Sequence, residues 1–220
     1  MLFRSDHLQR YAEAEAAYRR AIELDATDAR PWNNLGTLLQ DHLQRYAEAE
    51  AAYRRAMAID EAEPYPVVNL ARLLASQGRN DEAAGLYRQA VPLAEKSLHR
   101  VGSSSDDLAM ILQAQLWLGN RDAAEQAFTE LAKYAAQGDA HAFSRLREQV
   151  TACRTLGLGA ALARLIDDSA YADFLQPLSL ALREASGEDA LDVAPAEVAA
   201  LAGEVRAAID AGQAAPNVRR

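Results

Sequence analysis

The chain has 220 residues, 50% hydrophobic and 25% charged, with a formal net charge of −9. That composition excludes wholesale disorder, and the length suits one or two domains with a buried core. A single cysteine, Cys153, excludes an intramolecular disulfide and a zinc site built on paired cysteines, the acidity argues against a nucleic-acid partner, and no stretch approaches ~18 uninterrupted apolar residues, so no membrane span is expected.

Alanine supplies 49 residues, against 11 Gly and 7 Pro, which points to helix. The opening MLFRSDHLQR carries charge at Arg4, Asp6 and Arg10, unlike a secretory signal, so a cytoplasmic protein is expected. Residues 1–100 hold 13 basic and 15 acidic side chains, and residues 101–220 hold 10 and 17. The acidity therefore belongs mainly to the second half, which suggests a boundary near residue 100.

Along the chain, Asp6–Ala21 reads DHLQRYAEAEAAYRRA and Asp41–Ala56 reads the same sixteen residues at a spacing of 35. Chance does not produce this; duplication of a unit does. Weaker copies keep the register: Pro31 with Pro66, Asn34 with Asn69, Leu35 with Leu70, Leu38 with Leu73 and Leu39 with Leu74. A small–aromatic pair recurs as Ala14–Tyr18, Ala49–Tyr53, Ala83–Tyr87 and Ala124–Phe128, and a spacing of four puts each pair on one helix face. Trp32-x2-Leu35-Gly36 followed by Ala49-x3-Tyr53 resembles the signature of the tetratricopeptide repeat family, in its bacterial-type arrays. A third unit spans Asn69–Val91 and a weaker fourth spans Leu108–Leu131, so the resemblance covers roughly residues 1–135.

The resemblance implies an all-α fold: a right-handed α-solenoid of helix pairs, with a C-terminal helical extension. The expected organisation is an array over 1–100 whose first unit is truncated, a fourth pair over 101–138, an extension over 139–210 and a flexible tail over 211–220. By register, only the last turn of a first helix precedes Asp6, and a helix Tyr11–Leu24 follows without its own partner. Two readings fit: the chain is a piece of a longer array, or another subunit covers the open face by self-association. Some positions depart from the signature. Leu39 stands where Tyr is usual, Ala26 and Glu61 replace the closing proline, and the turn Asp41–Arg45 reads one residue longer than Ser76–Arg79. Pro31 and Pro66 suit first-turn positions, with Thr27 or Asp28 as caps. Pro92 can bend its helix, and Ser104 or Ser105 can cap the next. Further helices are expected at about 140–156, 159–168, 171–186 and 195–210, the last with Pro195 in its first turn.

No catalytic constellation, cofactor motif or metal-ligand set stands out, so no enzyme is expected. Gly157-Leu-Gly159 lacks the third glycine of a dinucleotide fingerprint and follows helical sequence, which reads as a helix break. His7, His42, His99 and His141 form no ligand pair, and Cys153 suits a buried small hydrophobe. Asp167-Asp168 and Asp189/Asp192 read as solvated surface, as do Arg19-Arg20 and Arg54-Arg55.

What remains is binding. The resemblance implies a concave groove, lined by the first helix of each pair, that takes a peptide or partner protein. An amide both donates and accepts, which suits a peptide bond, so Asn34 and Asn69 would form a ladder along an extended ligand. Helical spacing adds Asn33, Thr37, Val68 and Arg72, with Met110, Gln113 and Trp117 from the fourth unit. Arg72 can pair with a ligand carboxylate, although the family's carboxylate-clamp members use several Lys and Arg together. The alternative is the sensor or scaffold portion of a larger bacterial signalling ATPase-type protein, because Phe174–Arg183 resembles the helical ends of some such proteins.

Overall fold

The computed structural model describes residues 2–101 and 104–183. These residues are all-α: ten helices and, among the described residues, no strand. They are α1 (Leu2–Leu24), α2 (Ala29–Asp41), α3 (Tyr46–Ile59), α4 (Pro64–Ser76), α5 (Asn80–Val101), α6 (Ser105–Leu118), α7 (Arg121–Ala136), α8 (Ala140–Thr155), α9 (Gly159–Asp168) and α10 (Ala172–Arg183). The chain divides into two compact units, 1–94 and 95–220. The expected helix over 195–210, Pro195, the Asp189/Asp192 pair and the tail lie outside the described residues.

In the first unit, the period is visible as helix starts. The helices α2 and α4 are both 13 residues long and begin 35 residues apart. Each opens on an acidic cap: the Asp28 carboxylate accepts from the Arg30 amide, and that of Glu63 from the Tyr65 amide. Such caps satisfy amides that have no partner inside the helix. Pro31 and Pro66 fall in the first turn, where a missing N–H costs nothing.

The turns between paired helices differ as expected. Four residues (42–45) separate α2 from α3, and three (77–79) separate α4 from α5. In both, the last residue of the turn donates back to an equivalent carbonyl, Arg45 N to Leu39 O at 2.8 Å and Arg79 N to Leu74 O at 3.0 Å. The short turn does this with Gly78 at φ +77°, and the long one with Gln44 at φ +53°, a left-handed backbone that costs a side-chain-bearing residue energy.

The core of this unit is the pairing of α2 with α3. Leu35, Leu38 and Leu39 are buried, as are Ala49, Ala52, Tyr53 and Ala56. Gly36 makes room for the aromatic ring, since a Cβ there would sit 2.6 Å from Tyr53 Cε1. In the next pair Ala71 and Tyr87 are both fully buried.

One expectation is corrected. The segment Asp6–Arg10 is not a turn before a helix starting at Tyr11; it lies inside α1, which runs unbroken from Leu2 to Leu24. The identical segment Asp41–Arg45 does break, because there the carbonyls of Leu38 and Leu39 accept the turn amides and α2 packs back on α3. In the first copy Leu, Gln and Arg extend the helix readily. The helix α5 continues through Pro92, two residues before the division between the units.

In the second unit Ser104 is the cap of α6, its Oγ accepting from the Asp106 and Asp107 amides. The helix α6 packs against α7 and α8, while α9 and α10 pack together. Ala124 and Phe128 are fully buried on α7. Gly157, at φ +73°, separates α8 from α9, as a helix break should.

Candidate functional site

The first helices of the pairs in the first unit, α2 and α4, lie side by side. On α2, residues 33, 37, 40 and 41 follow helical spacing and form one stripe. Asn33 and Asn69 are half-buried, and Asn69 Nδ2 donates to Asn33 Oδ1 at 3.0 Å. At the other end of the stripe, Arg72 Nη2 lies 3.7 Å from Asp41 Oδ2. Between them, Thr37 Oγ1 donates to the Asn33 carbonyl at 3.2 Å, and Tyr53 Oη donates to Gln40 Oε1 at 3.1 Å. Burial pushes the Tyr53 phenol up to about 12, against smaller opposing pulls from its bond to Thr37 and the charge of Arg72. Two donors on these helices are buried without a hydrogen-bond partner among the described residues: Trp32 Nε1 on α2 and Arg72 Nε on α4.

The structure therefore joins Asn33, not Asn34, to Asn69. Asn34 is exposed on α2, about 100° around the helix from Asn33. Thr37 and Arg72 are half-buried in the polar cluster just described. Val68 is buried at 5% exposure, so its side chain belongs to the core rather than to a free face. The same holds in the second unit for Met110 and Gln113, while Trp117 is half-buried. α6 is buried nearly all round, which helical spacing alone does not reveal.

Family models described as tetratricopeptide repeat match residues 6–28 and 27–96. Residues 6–96 therefore hold tetratricopeptide repeats. No curated protein matches it. Among solved structures it is similar to that of YrrB, described as a TPR protein with an unusual peptide-binding site, at 18% identity over 90% of this chain and 98% of that one, with a TM-score of 0.41.

A second feature of these tetratricopeptide repeats was not apparent in the sequence. Arg45, at the turn before α3, bridges two helices: its Nη1 lies 2.8 Å from Glu15 on α1, and its Nε lies 2.6 Å from Glu48 on α3. One repeat later Arg79 does the same, with Glu50 on α3 at 2.7 Å and Glu82 on α5 at 2.7 Å. Arg19 and Arg54 close each cluster onto Glu15 and Glu50. Of the paired arginines read as solvated, Arg19 and Arg54 thus serve the joint between repeats. The signal was present as Glu15, Arg19 and Arg45 recurring at Glu50, Arg54 and Arg79, but contact between helices was needed to read it.

Elsewhere the chemistry is quiet. Cys153 is a free, fully buried thiol, and burial pushes its pKa up to about 12. His42 ends α2 and stacks on the Tyr11 ring at a centroid distance of 4.3 Å. His141 Nε2 contacts Asp106 at 2.9 Å beside Arg145. Among the described residues no three His, Cys, Asp or Glu side chains gather as metal ligands, and no helix is long and apolar enough to cross a membrane. Tetratricopeptide repeats are protein-interaction scaffolds, and residues 6–96 carry that scaffold.

Proposed function

We propose that this scaffold binds an extended peptide segment of a partner protein along the stripe shared by α2 and α4. The observation that supports it is the Asn33–Asn69 hydrogen bond. That bond uses one Asn33 lone pair and one Asn69 N–H. Among the described residues it leaves the Asn33 amide NH2 and the Asn69 carbonyl without further side-chain partners, one donor end and one acceptor end on adjacent helices. A peptide bond needs one of each. Exposed Asn34 and half-buried Arg72 flank this pair, and the partnerless Arg72 Nε favours an acceptor on the ligand over another cation.

Contacts to a peptide backbone do not read side chains, which separates this mechanism from a sequence-specific pocket. On an array of unrelated extended peptides, Asn33→Ala/Asn69→Ala is expected to weaken every bound peptide by a similar factor, about tenfold for two lost hydrogen bonds. Unchanged affinities, or losses confined to a few sequences, would refute the backbone-ladder reading.

A further inference from the structure

The carbonyl that accepts from Arg45 belongs to Leu39, and the one that accepts from Arg79 belongs to Leu74; both leucines are 1% exposed. The turn after α6 repeats this bond, from Asn120 N to the carbonyl of Gln115 at 2.9 Å. Gln115 therefore holds the place of those two leucines. It is 8% exposed, and burying an amide costs free energy unless the amide is hydrogen-bonded. Its oxygen is satisfied, because Asn120 Nδ2 donates to Gln115 Oε1 at 2.8 Å. Its NH2 has no hydrogen-bond partner among the described residues.

Gln115 lines a cleft between the end of α6, the start of α7 and α9. Leu116 and Leu165, both buried, and half-buried Ala161 form its apolar wall. The other polar side chains that line it are Arg121 and Arg164, and a guanidinium only donates. With the oxygen of Gln115 already taken, every free side-chain polar group in the cleft is a donor. Arg121 Nη2 meets Asp168 Oδ2 at 2.8 Å, an ion pair whose two side chains are 61% and 63% exposed. Exposed pairs are weak, so a second anion can displace this one. Arg164, one helical turn before Asp168 on α9, makes no ion pair among the described residues.

We infer that this cleft binds a small monocarboxylic acid with a short branched apolar body. Arg164, the Gln115 NH2 and the remaining N–H groups of Arg121 receive the carboxylate, and Leu116, Leu165 and Ala161 receive the body. The cleft has a volume of about 130 Å³, well under the roughly 300–1,000 Å³ of pockets for drug-sized ligands. Inorganic phosphate would supply the charge but would turn oxygens toward the apolar wall. The site shares no residue with the α2–α4 stripe and does not rest on the peptide reading.

The probe is 4-methylpentanoate, titrated into the isotope-labelled full chain and followed by NMR. The Gln115 side-chain amide and the Gly119 backbone amide, both in the cleft, are expected to shift saturably, with half-saturation at about 1 mM. The uncharged amide of the same acid, and inorganic phosphate, should leave both signals in place. Arg164→Gln, a change at an exposed position compatible with folding, should weaken binding about tenfold. Asp168→Asn, also at an exposed position, should tighten it by removing the competing carboxylate. The inference is overturned if 4-methylpentanoate gives no saturable shift, if its amide or phosphate shifts the signals equally, or if either variant binds the acid as the wild type does.

Discussion

Gly36 and Gly85 both lie inside helices, yet their surroundings predict opposite responses to the same substitution. Glycine in a helix interior costs roughly 0.5–1 kcal/mol relative to alanine. At Gly85, on α5, an added Cβ meets nothing within 4 Å, so Gly85→Ala is expected to stabilise by about that amount. At Gly36 the Cβ would meet the ring of fully buried Tyr53 at 2.6 Å. Overpacking of that kind costs about 1–3 kcal/mol, so Gly36→Ala is expected to destabilise by about 1 kcal/mol net. Urea unfolding of the two variants measures both signs. Cys153 gives a second residue-scale prediction. Its thiol is fully buried and burial holds it protonated at neutral pH, so an aromatic disulfide reagent at pH 8 should label it only as fast as the chain opens. Immediate labelling of folded protein would contradict the burial. The burial of Cys153 was legible in its apolar sequence surroundings, but the choice of Asn33 over Asn34 was not. A repeat period pairs equivalent residues, and equivalent residues on neighbouring parallel helices point the same way. Contact joins residues that face each other, a different register.

Between helices, the repeated clusters of Glu15, Arg19, Arg45 and Glu48 and of Glu50, Arg54, Arg79 and Glu82 tie consecutive repeats together. The bond from Arg19, joined by Arg45, holds Glu15 below the ordinary carboxylate range. For Glu50 burial pushes upward, and the bonds and charges of Arg79 and Arg54 outweigh it. A carboxylate with a lower pKa in the folded state binds fewer protons there than in the unfolded chain. Its stabilisation is therefore complete above the unfolded value of about 4.3 and is lost as pH falls through the folded value. Glu15→Gln/Glu50→Gln is expected to melt at lower temperature at pH 7, and its melting temperature should fall less steeply than the wild type's between about pH 5 and 3. Parallel curves across that range would mean the clusters do not contribute. The same scale explains why one sequence adopts two structures. In DHLQR, the second copy turns because α2 stands before it and folds onto α3, whereas the first copy continues α1.

For the molecule as a whole, the division into units 1–94 and 95–220 bears on cooperativity. A chain of two compact units need not unfold in one step. Each unit holds one of the two tryptophans, Trp32 in the first and Trp117 in the second. Single-tryptophan variants, Trp117→Phe and Trp32→Phe, therefore report one unit each. Their fluorescence midpoints in urea are expected to differ, and superimposable transitions would show instead that the units melt as one. The single helix α5 runs across the position of that division.

By itself, the sequence determined the all-α class, the 35-residue period, the caps at Asp28 and Ser104, the longer turn before Tyr46 and the small–aromatic packing pairs. These follow from local preferences and helical spacing, which any copy of the same residues carries with it. Only the tertiary structure decided that Asp6–Arg10 is helix while its duplicate turns, that Asn69 meets Asn33, that Val68, Met110 and Gln113 are buried, and that the arginines of the turns join successive repeats. Each of those outcomes depends on what a second helix brings alongside, and a duplicated sequence carries no record of its neighbours.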